Sequence, residues 1–380
     1  MLRDCFPRCR KLIMPINFAV KRPVRRFRLV ALVLALGLVA AACGDDGESA
    51  SDAANPADDP SAEGERTGTL RLGYFANVTH APAVIGEEEG IFAGALGDGV
   101  EIEYSYFNSG TEAIEALFAG AIDASFIGPN PALNGFAQSD GEALRIVSGV
   151  TSGGASLVVR DGIDAPEDLA DTRLASPSLG NTQDVAMRAW LAEQGYETEQ
   201  TGAGDVEISP QDNADTLTAF VAGSIDGAWV PEPWATRLVL EGDGHVLVDE
   251  RDIWPDSEFV TTHLMVGTDY LDENPEIVQG LIEGLLEAID VANGDAAEAQ
   301  AITNAGIERI TTQALADETI ASAWDKMTFT PDPVASSLEE SKNDAVAAGL
   351  LDEVDLTGIH DLTILNELLA ERGETEVEGL

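Results

Sequence analysis

The chain has 380 residues, 44% apolar and 23% charged, a globular composition with length for one large two-lobed domain or two domains. Its formal net charge is −47, and the first 42 residues hold nine Lys or Arg and one acid, which leaves twelve bases against 67 acids in residues 43–380. A body this acidic excludes nucleic acid and anionic lipid as its partners; the only cysteines, Cys5, Cys9 and Cys43, precede it, which excludes a disulfide, a thiolate metal site and a cysteine nucleophile.

Residues 1–42 read as a secretory signal peptide. Lys21, Arg22, Arg25, Arg26 and Arg28 precede an uncharged run over 29–42 that is too short for a comfortable membrane span. A signal of normal length also starts at Met14, which leaves 1–13 as surplus. The run Ala40-Ala41-Ala42-Cys43-Gly44 resembles a bacterial lipobox, in which lipidation of Cys43 anchors the protein to the outer face of a membrane. Ala40 stands where a leucine is more typical, and the alternative is ordinary cleavage beside an incidental cysteine. Residues 43–67, rich in Asp, Ala, Ser, Gly and Pro without apolar periodicity, read as a flexible linker.

From residue 69 strands and helices alternate, the signature of parallel βαβ units. A strand is expected at 70–75, then a loop through Asn77 and His80 into an apolar helix. A strand over 100–107 leads to Ser109-Gly110-Thr111, which opens a helix. That helix runs into a stretch the chain contains twice, at 117–131 and again at 220–234. Each copy is a helix end, Ala-Gly-x-Ile-Asp, a short apolar strand and a Pro-rich loop; the loops hold Asn130 in one and Glu232 and Trp234 in the other. Glycine suits the left-handed position past a helix C-terminus. Two such units suggest two similar lobes facing one cleft, the alternative being a pattern common to any two αβ units.

Strands are expected at 143–150 and 155–160, the second crossing to the other lobe. A short helix at 165–169, a strand at 173–177, a helix from Asn181-Thr182-Gln183 to about 194, a strand at 206–208 and a helix at 213–222 follow. Residues 244–248 form a further strand, and 259–266 carry the chain back. After Pro275 the spacing of Ile277, Leu281, Ile282, Leu285, Leu286 and Ile289 predicts one buried face of a long helix; 362–369 is helical too. The crossings divide the body into one lobe of 68–155 and 262–380 and another of 156–261, closing about two hinge strands.

Four helix starts are expected at the cleft: Asn77 to His80, Ser109 to Thr111, Asn181 to Gln183, and Glu232 to Trp234. Helix N-termini hold an anion through free N–H groups and the helix dipole without a lysine or arginine, and none lies in these starts. Each also has the simpler reading of an N-cap serving its own helix. Phe75, Phe126, Trp229 and Trp234 are candidates for an apolar slot around a ligand tail, or are core aromatics. Glu232 either meets a ligand amine or caps its helix. His80 and His263 lack a third ligand at metal spacing, so no metal is expected.

The strand ending Gly73-Tyr74-Phe75, the His80-Ala81-Pro82 loop, Ser109-Gly110-Thr111, 178–184 and the run Trp229-Val230-Pro231-Glu232-Pro233-Trp234 together resemble the nitrate/sulfonate/taurine group of ABC-transporter substrate-binding proteins, over about 69–330. The resemblance implies a type 2 periplasmic-binding-protein fold, a monomer that captures a small anionic solute, taurine or another aliphatic sulfonate by default, and delivers it to a permease driven by an ATPase. It also implies that the acidic group sits at Ser109 to Thr111 and Asn181 to Gln183. No matching basic residue is identifiable. An enzyme on the same fold, such as those that make the thiamine pyrimidine, is the rival; the only lysines of the body, Lys326 and Lys342, lie in the C-terminal segment, and no cofactor is expected. A ligand-sensing lipoprotein is the third reading.

Overall fold

A computed structural model describes residues 66–380. The expected signal peptide, Cys43 and nearly all of the expected linker lie outside the described residues. Among the described residues no helix is long and apolar enough to cross a membrane.

In chain order the strands are β1 (Gly68–Phe75), β2 (Val100–Phe107), β3 (Ala124–Ile127), β4 (Leu144–Gly153), β5 (Ala155–Val159), β6 (Arg173–Ser176), β7 (Glu207–Pro210), β8 (Gly227–Pro231), β9 (His245–Asp249), β10 (Val260–Gly267) and β11 (Met327–Phe329). They form two sheets, ordered β11-β4-β10-β3-β1-β2 and β7-β6-β8-β5-β9. In the first, β2, β1 and β3 are parallel and β10 runs antiparallel between β3 and β4. The second repeats this, with β7, β6 and β8 parallel and β5 antiparallel between β8 and β9. The edge strand β11 has no counterpart in the second sheet and no signal in the sequence pattern, because three residues are too few to show alternation. The helix expected at 165–169 is a single 3-10 turn, Pro166–Leu169.

The repeated stretch places β3 and β8 in equivalent positions. Gly120 and Gly223 take φ of +65° and +73° after their helices, a conformation that a side chain resists. The aspartate that follows in each copy ties two strands together. Asp123 N–H donates to Arg71 O at 2.8 Å and its carboxylate accepts from Arg71 N–H at 2.8 Å. Asp226 does the same with Arg173, at 2.7 and 2.8 Å. Ile122 and Ile225 are buried beside them. The repeat is thus an element of sheet construction, and it aims the loop that follows each strand.

The chain passes from β4 to β5 through Gly153 and Gly154, with φ of +82° and +79°. A side chain at Gly153 would collide with the Lys326 carbonyl and one at Gly154 with Met327, so the crossing requires glycine on both counts. Apolar clusters cover both faces of each sheet. The Pro275–Asn293 helix buries Ile277, Leu281, Ile282, Leu285, Leu286 and Ile289, and the Thr363–Glu371 helix adds Leu365, Leu368 and Leu369 to the same cluster.

Glu250, fully buried past β9, accepts from Trp229 Nε1–H at 2.6 Å and Trp254 Nε1–H at 3.4 Å. Burial outweighs both donors and pushes its carboxyl up to about 7. A pKa raised on folding means that this group's stabilisation is complete below the unfolded carboxyl range and is lost as pH rises through about 7. Urea titrations at pH 5.5 and 8.5 should therefore show a pH-dependent loss larger in the wild type than in Glu250→Gln, by on the order of 2 kcal/mol; identical losses would contradict this reading.

Candidate functional site

Residues following the parallel strands of both sheets enclose one crevice. Phe75, Asn77, Thr79 and His80 come from the end of β1 and the turn after it, Asn108 to Gly110 from the end of β2, and Gly128 and Pro131 from the end of β3. Opposite them stand Pro177 and Asn181 to Gln183 after β6, Asn213 after β7 and Pro231 at the end of β8, with Thr261 of β10 between. Carboxyl ends of strands in open α/β sheets are where ligands bind. The enclosed volume is about 40 Å³, room for about three waters or one small oxyanion.

Two helices begin at this space. Ser109 caps the Gly110–Phe118 helix, its Oγ accepting from Glu112 N–H at 3.4 Å. Asn181 caps the Thr182–Glu193 helix, its Oδ1 accepting from Asp184 N–H at 3.0 Å. Each cap satisfies a deeper donor. The first-turn N–H groups of Gly110, Thr111, Thr182 and Gln183 have no acceptor among the described residues. Such groups at a helix start attract negative charge. The Asn213–Val221 helix also starts here, without a side-chain cap. Among the described residues no Lys or Arg lines the crevice.

The second helix start is fixed from below. Asp184 accepts from Ser176 Oγ–H at 2.7 Å, Gly180 N–H at 2.9 Å and Arg188 Nε–H at 3.0 Å. Arg188 is 2% exposed and donates again to Glu199 O at 2.8 Å. This buried ion pair holds the 176–181 segment at the height of the crevice. His80 is also buried, its ring centroid 4.6 Å from that of Phe75, and its Nδ1 has no partner. Burial lowers its pKa to about 3, so the ring is neutral.

Phe75, Asn77, His80, Ser109, Gly110, Asn181, Thr182 and Gln183 all line this crevice. Others go elsewhere. Thr111 lines a neighbouring cavity instead. Asn130 is buried and donates to Ser341 O at 3.2 Å. Trp229 and Phe126 are core residues of their sheets, fully buried because β8 and β3 are covered on both faces, so neither face of these strands reaches solvent. Glu232 caps its own helix, accepting from Thr236 N–H and Oγ1–H at 3.0 Å each, and forms an ion pair with Lys326 Nζ at 2.7 Å. Trp234 stands at the crevice rim, its Nε1–H donating to Asn77 Oδ1 at 3.0 Å. Asn213 and Thr261 went unrecognised. Asn213 carries the signal used at Asn181, an Asn ahead of an amphipathic run, whereas Thr261 sits inside a strand and shows nothing in sequence.

A model of the NMT1-like family matches residues 63–306. The taurine-binding periplasmic protein of Escherichia coli is 27% identical over 217 residues, which cover 56% of this chain and 64% of that protein. The bicarbonate-binding protein CmpA of Synechococcus elongatus is 26% identical over 248 residues, 58% of this chain and 53% of the relative. The chain therefore spans between half and two thirds of the length of these relatives. The alkanesulfonate-binding protein SsuA from Xanthomonas axonopodis pv. citri, solved bound to MOPS, superposes with a TM-score of 0.63 at 20% identity, covering 75% of this chain and 94% of that one. The fold is the type 2 periplasmic-binding-protein fold.

Asp184→Ala leaves Arg188 as an uncompensated buried charge and should cost about 3–5 kcal/mol in urea unfolding. A loss below about 1 kcal/mol would show that the pair does not fix the helix start.

Proposed function

The chain belongs to the NMT1-like family, and we propose that it is the extracytoplasmic solute-binding component of an ABC importer, capturing a small oxyanion between its two lobes. The observation that carries this reading is that two helix starts, at Ser109–Gly110 and Asn181–Gln183, line one crevice, and the first-turn N–H groups of Gly110, Thr182 and Gln183 have no acceptor among the described residues. In a chain of net charge −47 the long-range field opposes an anion, so the site must act at short range through dipoles and hydroxyls. The names of the taurine-, bicarbonate- and alkanesulfonate-binding proteins it resembles agree with an oxyanion.

Taurine or another aliphatic sulfonate is the ligand proposed first, with its sulfonate in the crevice; nitrate also fits the volume. The lobes open and close about the β4–β5 and β9–β10 connections. The task is binding and release, with no chemical step. A permease and its ATPase receive the solute, and the protein acts as a monomer held to the membrane's outer face by lipid on Cys43.

A thermal-shift screen against taurine, alkanesulfonates, sulfate, nitrate and bicarbonate tests the reading. A true ligand at a hundred times its Kd adds about 2.7 kcal/mol; stabilisation by neutral or cationic solutes alone would overturn it. Because His80 stays neutral down to about 3, sulfonate affinity should hold within about twofold between pH 5.5 and 8. A roughly tenfold gain on acidification would mean that His80 becomes charged and holds the anion. Cys43→Ser should release the protein from the membrane fraction, and continued membrane association would remove the lipid anchor from the proposal.

A further inference from the structure

A cavity of about 800 Å³ adjoins the crevice, and Asn108 lines both spaces. The Trp234–Asn77 hydrogen bond spans the boundary, with Asn77 lining the crevice and Trp234 the cavity. The cavity's apolar walls are Leu217 and Leu240 from helices on the second sheet, and Ile307 from a helix on the first sheet with Leu315 from the loop after that helix. Arg237 lies 4.7 Å over the Trp234 ring and is paired with Glu241 at 2.6 Å. Its charge is thus already matched, and what it adds is a flat surface continuing the indole.

Size makes the connection matter. About 40 Å³ takes the head of an oxyanion and nothing bonded to it. Any substituent must leave the crevice. On the opposite side, past Pro131, the neighbouring cavity is smaller, about 340 Å³, is lined by Ile114, Leu179 and Leu350 as well as Thr111, Asn134 and Gln138, and is bridged by the hydrogen bond from Gln200 to Gly349 O. The cavity past Asn108 is larger, and Trp234, Leu217, Leu240, Ile307 and Leu315 give it a broader apolar wall, beside the charged Arg237, Glu241 and Glu318.

We propose that this side cavity is a second subsite, which receives the apolar portion of an organic oxyanion. The ligand class is then an alkyl or aryl sulfonate, or a carboxylate of similar shape, that stacks on Trp234, rather than a bare inorganic anion. The inference rests on the anion reading above and adds where the rest of the ligand goes. Because its walls come from both sheets, an occupied subsite also favours the closed arrangement.

Calorimetric titration of the full-length protein with methane-, butane- and hexanesulfonate separates the two readings. Affinity should rise roughly two- to fourfold per added methylene. Leu240, 42% exposed and remote from the helix starts, supplies the test of place. Leu240→Glu and, independently, Leu217→Glu should each lower the hexane-to-methanesulfonate affinity ratio by roughly tenfold, with thermal melting confirming that each variant folds. Methanesulfonate binding with no gain along the series, or a gain that both variants leave intact, overturns the side subsite and spares the anion reading. Failure of every sulfonate, with sulfate, nitrate and bicarbonate also inert, overturns both.

Discussion

In each sheet a reversed strand lies against the third parallel strand, β10 against β3 and β5 against β8. The ends of these strands fix the rest. Ala155, where β5 begins, pairs with Pro231, where β8 ends; Val260, where β10 begins, pairs with Ser152 near the end of β4. Both crossings between the sheets therefore occur at the carboxyl ends of the parallel strands. Those ends are brought to one crevice by connectivity, and the helices that follow the parallel strands start there. The glycines at 153 and 154 and the Asp–Arg backbone ties are what this arrangement requires locally.

Electrostatics then restricts how the crevice can work. Cations on neighbouring elements are already engaged: Arg188 with Asp184, Lys326 with Glu232 and Arg237 with Glu241. They staple segments and offer the crevice no free charge. An anion there meets backbone N–H groups, hydroxyls and a neutral imidazole. The body's negative field is screened beyond roughly 10 Å at 0.1 M salt, so the approach of an anion is weakly opposed while contact at the helix starts is strong. Such a site suits a solute that must be released as well as caught.

Much of the architecture was legible in sequence, because periodicity and the repeated Gly-x-Ile-Asp unit report directly on backbone geometry. The long helix after Pro275 and the helix starts at Ser109 and Asn181 follow from spacing and capping residues alone. What failed was side-chain direction. Trp229 and Glu232 sit in the loop-proximal run that suggested the cleft, yet β8 is buried on both faces, which leaves Trp229 in the core, and the fourth-residue spacing to Thr236 turns Glu232 back onto the helix that follows it. Glu232 also finds Lys326 across 94 residues of chain, a partnership that no local pattern reveals. Trp234, by contrast, does reach the crevice rim, through a hydrogen bond to Asn77 that depends on the two sheets meeting.

The central claim is that an oxyanion is held by dipoles at two helix starts that line one crevice. A crystal structure of the protein grown with an alkanesulfonate tests it most directly. The account predicts sulfonate oxygens within about 3.2 Å of N–H groups at Gly110–Thr111 and Thr182–Gln183 together. A sulfonate bound instead to an arginine or lysine side chain, away from both helix starts, would contradict it.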